Sequence, residues 1–287
     1  MSIKTILVPV DGTEASRTAL DVGFILARDL AAHADVLHVA TDPKDAVPLL
    51  GEGMSAAIIE EMIQLAETEA TERTARAEAM FEDARNRYGL AVLEDAALGD
   101  TGSTALKQYV GREDEMTAEK GRLADLTVVS RPTESSEATL TMTINAALFE
   151  TGRPVLVAPP TAPQVIGKKI AVSWNGSAEA SRAVAAAMPL IARSDSVVIM
   201  TAENDKTSSN VAPELANYFT WHGVASETRT LPGGSQVGQV LLEDCKIVGA
   251  DLLVMGAYTH SRMRQLILGG VTKHILGSAE LPVLMAH

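Results

Sequence analysis

The sequence predicts a doubly wound α/β protein built twice in tandem, and three observations carry that prediction. Short apolar runs rich in Val, Ile and Leu alternate with longer amphipathic stretches, the pattern of parallel strands buried on both faces and joined by right-handed helical crossovers. The chain also repeats itself. "KTILVPVDGTEASR" from Lys4 returns as "KIAVSWNGSAEASR" from Lys169, "DLTVVS" from Asp125 as "DLLVMG" from Asp251, and "RPVLVAP" from Arg153 as "LPVLMAH" from Leu281. Finally, hydrophobic residues make up 46% of the 287 residues but aromatics only 3%, so the core is built from aliphatic side chains suited to close helix-on-sheet packing.

The elements follow in order. "TILVPV", "ADVLHVA", "LTVVS" and "PVLVAP" are continuous β-branched runs and predict buried strands of the first copy. Between the second and third of these lies "SAAIIEEMIQLAETEATERTARAEAMFEDARNRYG", a long helical insertion with charges around an apolar stripe. The second copy has only the shorter "APELANYFTWHG" at that place. "VAPPTAPQVIGKK" is Pro-rich and lies between the copies, so the domains are placed at 1–161 and 162–287. "GDTGST" at 99–104 and "LPGGSQVG" at 231–238 are glycine-rich. They lack a P-loop ending and are expected to be helix-entry turns capped by Thr101 or Ser103 and by Ser235.

Charge and composition narrow the function. Twenty-four Lys and Arg against 37 Asp and Glu give a net charge of −13, which disfavours nucleic acid and anionic membranes as partners. The single cysteine, Cys245, excludes an intramolecular disulfide and reads as a core-facing helical thiol. The start of the chain has too short an apolar stretch for a signal sequence, and no run reaches membrane-spanning length, so a cytoplasmic location is expected. Six scattered histidines without metal-ligand spacing predict no protein-ligated metal. No nucleophile, base and orienter stand at recognisable spacing, so no catalytic residue is assigned.

With "ILVPVDGTEAS", "ADLLVMGA" and "LPVLMAH" placed, the chain resembles a tandem member of the universal stress protein (UspA-like) family. The resemblance implies a Rossmann-like, adenine-nucleotide hydrolase-like parallel sheet of five strands in each half. It also implies pairing of the halves through their last strands as an intramolecular pseudo-dimer, with a homodimer a further expectation. Family members that bind ATP carry, after the fourth strand, Gly, two residues, Gly, nine residues, Gly, then Ser or Thr. Here the second copy offers Gly256, Thr259, Gly269 and Gly270 at that spacing. Thr259 stands where the second glycine belongs, and Gly270 where the hydroxyl belongs.

The physical reason for the pattern is general. Gly256, beyond a parallel strand and preceded by Met255, lets a ligand approach the main chain at the switch point of the sheet. Gly269 and Gly270 open a helix whose backbone N–H groups at Gly270 and Val271 would face an anion. Thr272 follows as a hydroxyl donor, and Arg262 is a cation in the intervening stretch that could screen phosphate or merely solvate a surface. At the end of the first strand the family's nucleotide-contacting Asp is Asp11 in the first copy and Asn175 in the second. Trp174 replaces Val10 beside it and either stacks on a base or fills the pocket. The implied ligand is an adenine nucleotide, ATP or ADP, bound weakly or conditionally by the second half, with slow ATP hydrolysis the most that chemistry there would amount to.

The first copy lacks these features. Ser130 stands for Gly256, Thr141 and Met142 for the glycine pair, and Glu134 and Glu137 add negative charge, so no ordinary nucleotide site is expected there. The alternative for the whole chain is a stress-response scaffold that binds no nucleotide and acts through oligomerisation or partner binding.

Overall fold

The structure is a computed structural model that describes residues 2–42, 55–95, 99–132, 137–203, 211–257 and 270–287. The first half runs β1 (Thr5–Pro9), α1 (Glu14–Leu30), β2 (His33–Ala40), α2 (Ala56–Tyr88), β3 (Ala91–Val92), β4 (Ser103–Val110), α3 (Glu113–Gly121), β5 (Leu126–Val129), α4 (Glu137–Glu150) and β6 (Val155–Val157). The second runs β7 (Lys169–Ser173), α5 (Ala178–Ile191), β8 (Ser196–Ala202), α6 (Val211–Trp221), β9 (Ser226–Leu231), α7 (Val237–Val248), β10 (Leu252–Gly256), α8 (Gly270–Ser278) and β11 (Val283–Ala286).

All of these strands form one sheet in the order β3-β4-β2-β1-β5-β6-β11-β10-β7-β8-β9. Neighbours within each half are parallel, as the continuous apolar runs and the helical crossovers require. The antiparallel pair is β6 with β11, where Leu156 faces Leu284 across an approximate two-fold axis. The pseudo-dimer implied by the family resemblance is thus a continuous backbone ladder. Alternation along these two strands sends Leu156 and Leu284 into the core under α1 and α5, and Val155, Val157, Val283 and Met285 into the core under α4, α7 and α8. Both cores cross from one half to the other.

The repeated aspartates are explained by this sheet. Asp125 accepts the N–H groups of Lys4 (2.8 Å) and Thr5 (3.1 Å), and Asp251 those of Gly167, Lys168 and Lys169 (2.7, 3.0 and 3.0 Å). Each carboxylate therefore satisfies amides at the start of the adjacent strand, β1 or β7, that would otherwise lack partners. Two arginines join the halves: Arg131 donates to the carbonyl oxygens of Ala279 and Gly277 at the end of α8, and Arg193 to Asp29 O (2.9 Å) at the end of α1.

Two expectations fail. "GDTGST" leads into a strand, β4, rather than a helix, so neither Thr101 nor Ser103 is a cap. Gly102 is there because a Cβ would lie 2.5 Å from Ala27 O at the end of α1. "LPGGSQVG" does precede a helix, α7, but Gln236 occupies the N-cap and no side chain caps it, which removes Ser235 from that role. A Cβ on Gly233 would stand 1.7 Å from Glu203 O, so Gly233 marks a close crossing of two backbones, while Gly234 supplies a φ of +108°.

Candidate functional site

In each half the sheet reverses direction beside its first strand, and the carboxyl ends of the strands flanking that point form the crevice in which such folds take ligands. In the second half the flanking strands are β7 and β10. Asn175 follows β7 and accepts the N–H of Ser177 (3.1 Å), as Asp11 accepts that of Thr13 (2.9 Å). The two residues are thus the same turn in two copies, with an exposed amide replacing a half-buried carboxylate. Trp174 extends β7 through its N–H to Met200 O (2.9 Å), as Val10 extends β1 through its own to Leu37 O (2.8 Å). Its indole packs on the core and donates from Nε1 to Val211 O (3.0 Å) at the start of α6, so it fills space between β7 and α6.

Gly256 has a reason that spacing did not reveal. A Cβ there would lie 2.5 Å from Ala180 N and 2.8 Å from Glu179 C. The clearance is taken up by the first turn of α5, which is itself capped by the Ser177 hydroxyl accepting Ala180 N–H (3.1 Å). The expected role of opening the main chain to a ligand is therefore replaced by helix-on-strand packing. Met255 is 4% exposed and belongs to the core under α7 and α8, so its side chain is not available to a ligand.

Thr259, Arg262 and Gly269 lie outside the described residues, as do His260 and Arg264. Gly270 is the first residue of α8 and is exposed, with open space where a Cβ would point. Val271 is half-buried beside it, and Thr272 is buried in the same turn, so its hydroxyl is turned into the protein. Because α8 is a crossover between parallel strands, Gly270 stands at the end of the helix nearer the carboxyl end of β10. His274 packs against Gly238 of α7, where a Cβ would be 3.1 Å from the imidazole, and is a packing residue of the helix pair. Cys245 is buried in α7 with its thiol pushed up to about 12 by burial, which makes it a poor nucleophile.

The first half holds a cavity of about 730 Å³ at the corresponding end of the sheet. Its floor is Asp11 after β1 and His38 to Ala40 of β2, its walls are the turn from Gly111 to Asp114 and α4 at Leu140, Met142 and Thr143, and its roof is α2. The roof is held down at Gly12, which has φ +77° and would bring a Cβ within 2.5 Å of Arg73 O. His38 is buried and held at both ring nitrogens, by Val10 O (2.8 Å) and Thr74 Oγ1 (3.0 Å). Glu113, the first residue of α3, accepts the Thr143 hydroxyl (2.8 Å). Burial, with the nearby carboxylate of Asp11, pushes its own carboxyl up to about 7 against the pull of that hydrogen bond.

Sequence reasoning passed over this group, because Glu113 stands in "REDE", which reads as a solvated helix start. The signal was the preceding Gly111, whose φ of +143° turns the chain out of β4 and aims the next residues at the sheet. Met142, expected opposite the glycine pair, sits inside α4, which begins five residues earlier at Glu137. Its N–H is therefore consumed by the helix. Among the described residues no three His, Cys, Asp or Glu side chains gather to hold a metal ion.

Comparison with known proteins places this architecture. A relative from Synechocystis sp. (strain ATCC 27184 / PCC 6803 / Kazusa), universal stress protein Slr1230, is 22% identical over 98% of this chain and 99% of its own length. Among solved structures, a universal stress protein from Archaeoglobus fulgidus DSM 4304 superposes with a TM-score of 0.68 at 15% identity, covering 98% of this chain and 97% of the other. The protein PA1789 from Pseudomonas aeruginosa PAO1 does so with a TM-score of 0.54 at 12% identity, covering 98% and 92%. The model of the universal stress protein family matches residues 2–133 and again 167–287, so each half is one copy of that fold and the chain belongs to the universal stress protein family.

Proposed function

We propose that the protein is a regulatory binding protein whose second half takes an adenine nucleotide, ATP or ADP, weakly or conditionally, with the first half as its partner in the shared sheet. The observation that carries this reading is Gly270 of α8, an exposed residue without a side chain in the crossover that follows β10. The amide of Asn175 keeps an acceptor nearby without adding a negative charge.

The test is calorimetric titration of the full chain with ADP and ATP, beside mass spectrometry of small molecules released on denaturation. Gly270→Val is the informative variant. Among the described residues no atom beyond its own stretch of helix lies within 4 Å of a Cβ at Gly270, and its φ is not in the left-handed region, so the fold should persist while a phosphate is pushed off the backbone there. Loss of binding in that variant is expected; undiminished binding, or none in the parent protein, overturns the reading.

A second reading, a scaffold that acts through a partner protein, is favoured by one observation. At the end of α6, Trp221 is 83% exposed near the ring contact of Tyr218 with His222, whose centroids are 4.5 Å apart with the rings tilted by 53°. An exposed aromatic group of this kind is characteristic of contact surfaces. Sedimentation of the parent protein and Trp221→Lys separates the readings: a shift to smaller species in the variant supports a self-association surface.

A further inference from the structure

The cavity of the first half has the size of a ligand site but the wrong charge for the ligand proposed in the second. Its cations are already engaged. Arg73 pairs with Glu69 (2.6 Å) and Arg112 with Asp114 (2.8 Å). Glu14 is held by Arg17 (3.0 Å). Asp11 and Glu113 remain, and among the described residues neither forms an ion pair. One Asp11 oxygen is used by the N–H and hydroxyl of Thr13 and one Glu113 oxygen by Thr143, and among the described residues the second oxygen of each has no hydrogen-bond donor. The rest of the wall is apolar, with Val39, Leu140 and Met142 prominent, and Met142 is 44% exposed.

An anion entering here would meet the carboxylates of Asp11 and Glu113, with Glu14 and Asp114 at the helix starts beside them. A metal ion would find too few ligands. A cation that carries its own donors and a carbon body would satisfy both oxygens and cover the apolar wall.

We propose that this cavity is a binding site for a small organic amine, whose ammonium group donates to Asp11 and Glu113 while its carbon body lies against Val39, Leu140 and Met142. The site is independent of the nucleotide reading, being built from other strands and helices. It also couples binding to a proton. The groups facing Glu113 are Asp11, Asp114, Arg73 and the Thr143 hydroxyl, and a bound ammonium adds a positive charge to that set. The ammonium favours the carboxylate, so the Glu113 proton leaves for solvent as the amine binds. With the carboxyl near 7 in the free protein, a titration at neutral pH releases about half a proton per amine.

The experiment is calorimetry of the full chain at pH 7 with phenethylamine and with putrescine, in phosphate and in MOPS, neither of which contains a primary amine. The difference in heat between the two buffers gives the protons released. The expected result is binding of at least one of the amines with proton release, a loss of at least tenfold in affinity and of the release in Glu113→Gln, and no change in Gly270→Val. Absence of heat with both amines, proton release that survives in Glu113→Gln, or displacement of the amine by ADP with equal weakening of both ligands in Glu113→Gln would overturn the proposal.

Discussion

The passage from β5 to β6 and the passage from β10 to β11 are the same piece of the fold built in two ways. In the first, α4 brings the Thr143 hydroxyl to the Glu113 carboxyl; in the second, α8 carries the exposed, side-chain-free Gly270. The strand ends differ in the same sense. Gly256 lets the first turn of α5 settle on β10, whereas Ser130, its counterpart after β5, is a buried residue with a side chain to house, and α1 packs less closely there. Two copies of one topology therefore present different chemistry, an exposed glycine in one crossover and a carboxyl cavity in the other, through a few side chains.

The largest effect expected from breaking this comparison is at the join. Leu156 is fully buried between the halves, so Leu156→Ala should cost about 3 to 4 kcal/mol. Because both cores cross the join, the cost should appear as a lower midpoint of one denaturant transition seen by probes in both halves. Two transitions, with only one of them moved, would mean that the halves unfold separately.

Exchanging the strand-end residues comes next. Gly256→Ser, which copies the first half into the second, forces a Cβ against backbone atoms of α5 and should lose about 2 to 3 kcal/mol. The reverse exchange, Ser130→Gly, should lose about 1 kcal/mol through backbone freedom. Equal losses in urea unfolding would show that α5 gains nothing from the glycine.

A further effect is one of pH. Burial raises the Glu113 carboxyl to about 7 from an ordinary 4.5, so the folded protein holds more protons than the unfolded chain between those values. Stability from this group is present at low pH and lost as pH rises through the window, by on the order of 2 kcal/mol. Denaturation midpoints should fall from pH 5 to pH 8 in the parent protein and fall less in Glu113→Gln.

The parts of the fold that were legible in the sequence are those whose physics is local. β1, β2, β5 and β6 are largely buried, so their residues are mainly apolar, and the paired aspartates repeat because each half needs the same strand ends tied. β4 was not legible. It begins buried at Ser103 and ends exposed at Val110, so "STALKQYV" carries neither a continuous nor a cleanly alternating pattern. The glycines misled for a related reason: at 102, 233 and 256 they answer to backbone from distant elements, which spacing along the chain does not record. The same holds for the cavity. Asp11, Glu113 and Thr143 come from three separate segments, and only the sheet brings them together.

The central claim is that the halves of one sheet carry unlike sites, and the most direct measurement of it is the stoichiometry of ADP bound by the full chain at saturation, by equilibrium dialysis. The account predicts one ADP per chain, abolished by Gly270→Val and unchanged by Glu113→Gln. Two per chain, or a single ADP lost in Glu113→Gln and kept in Gly270→Val, would contradict it.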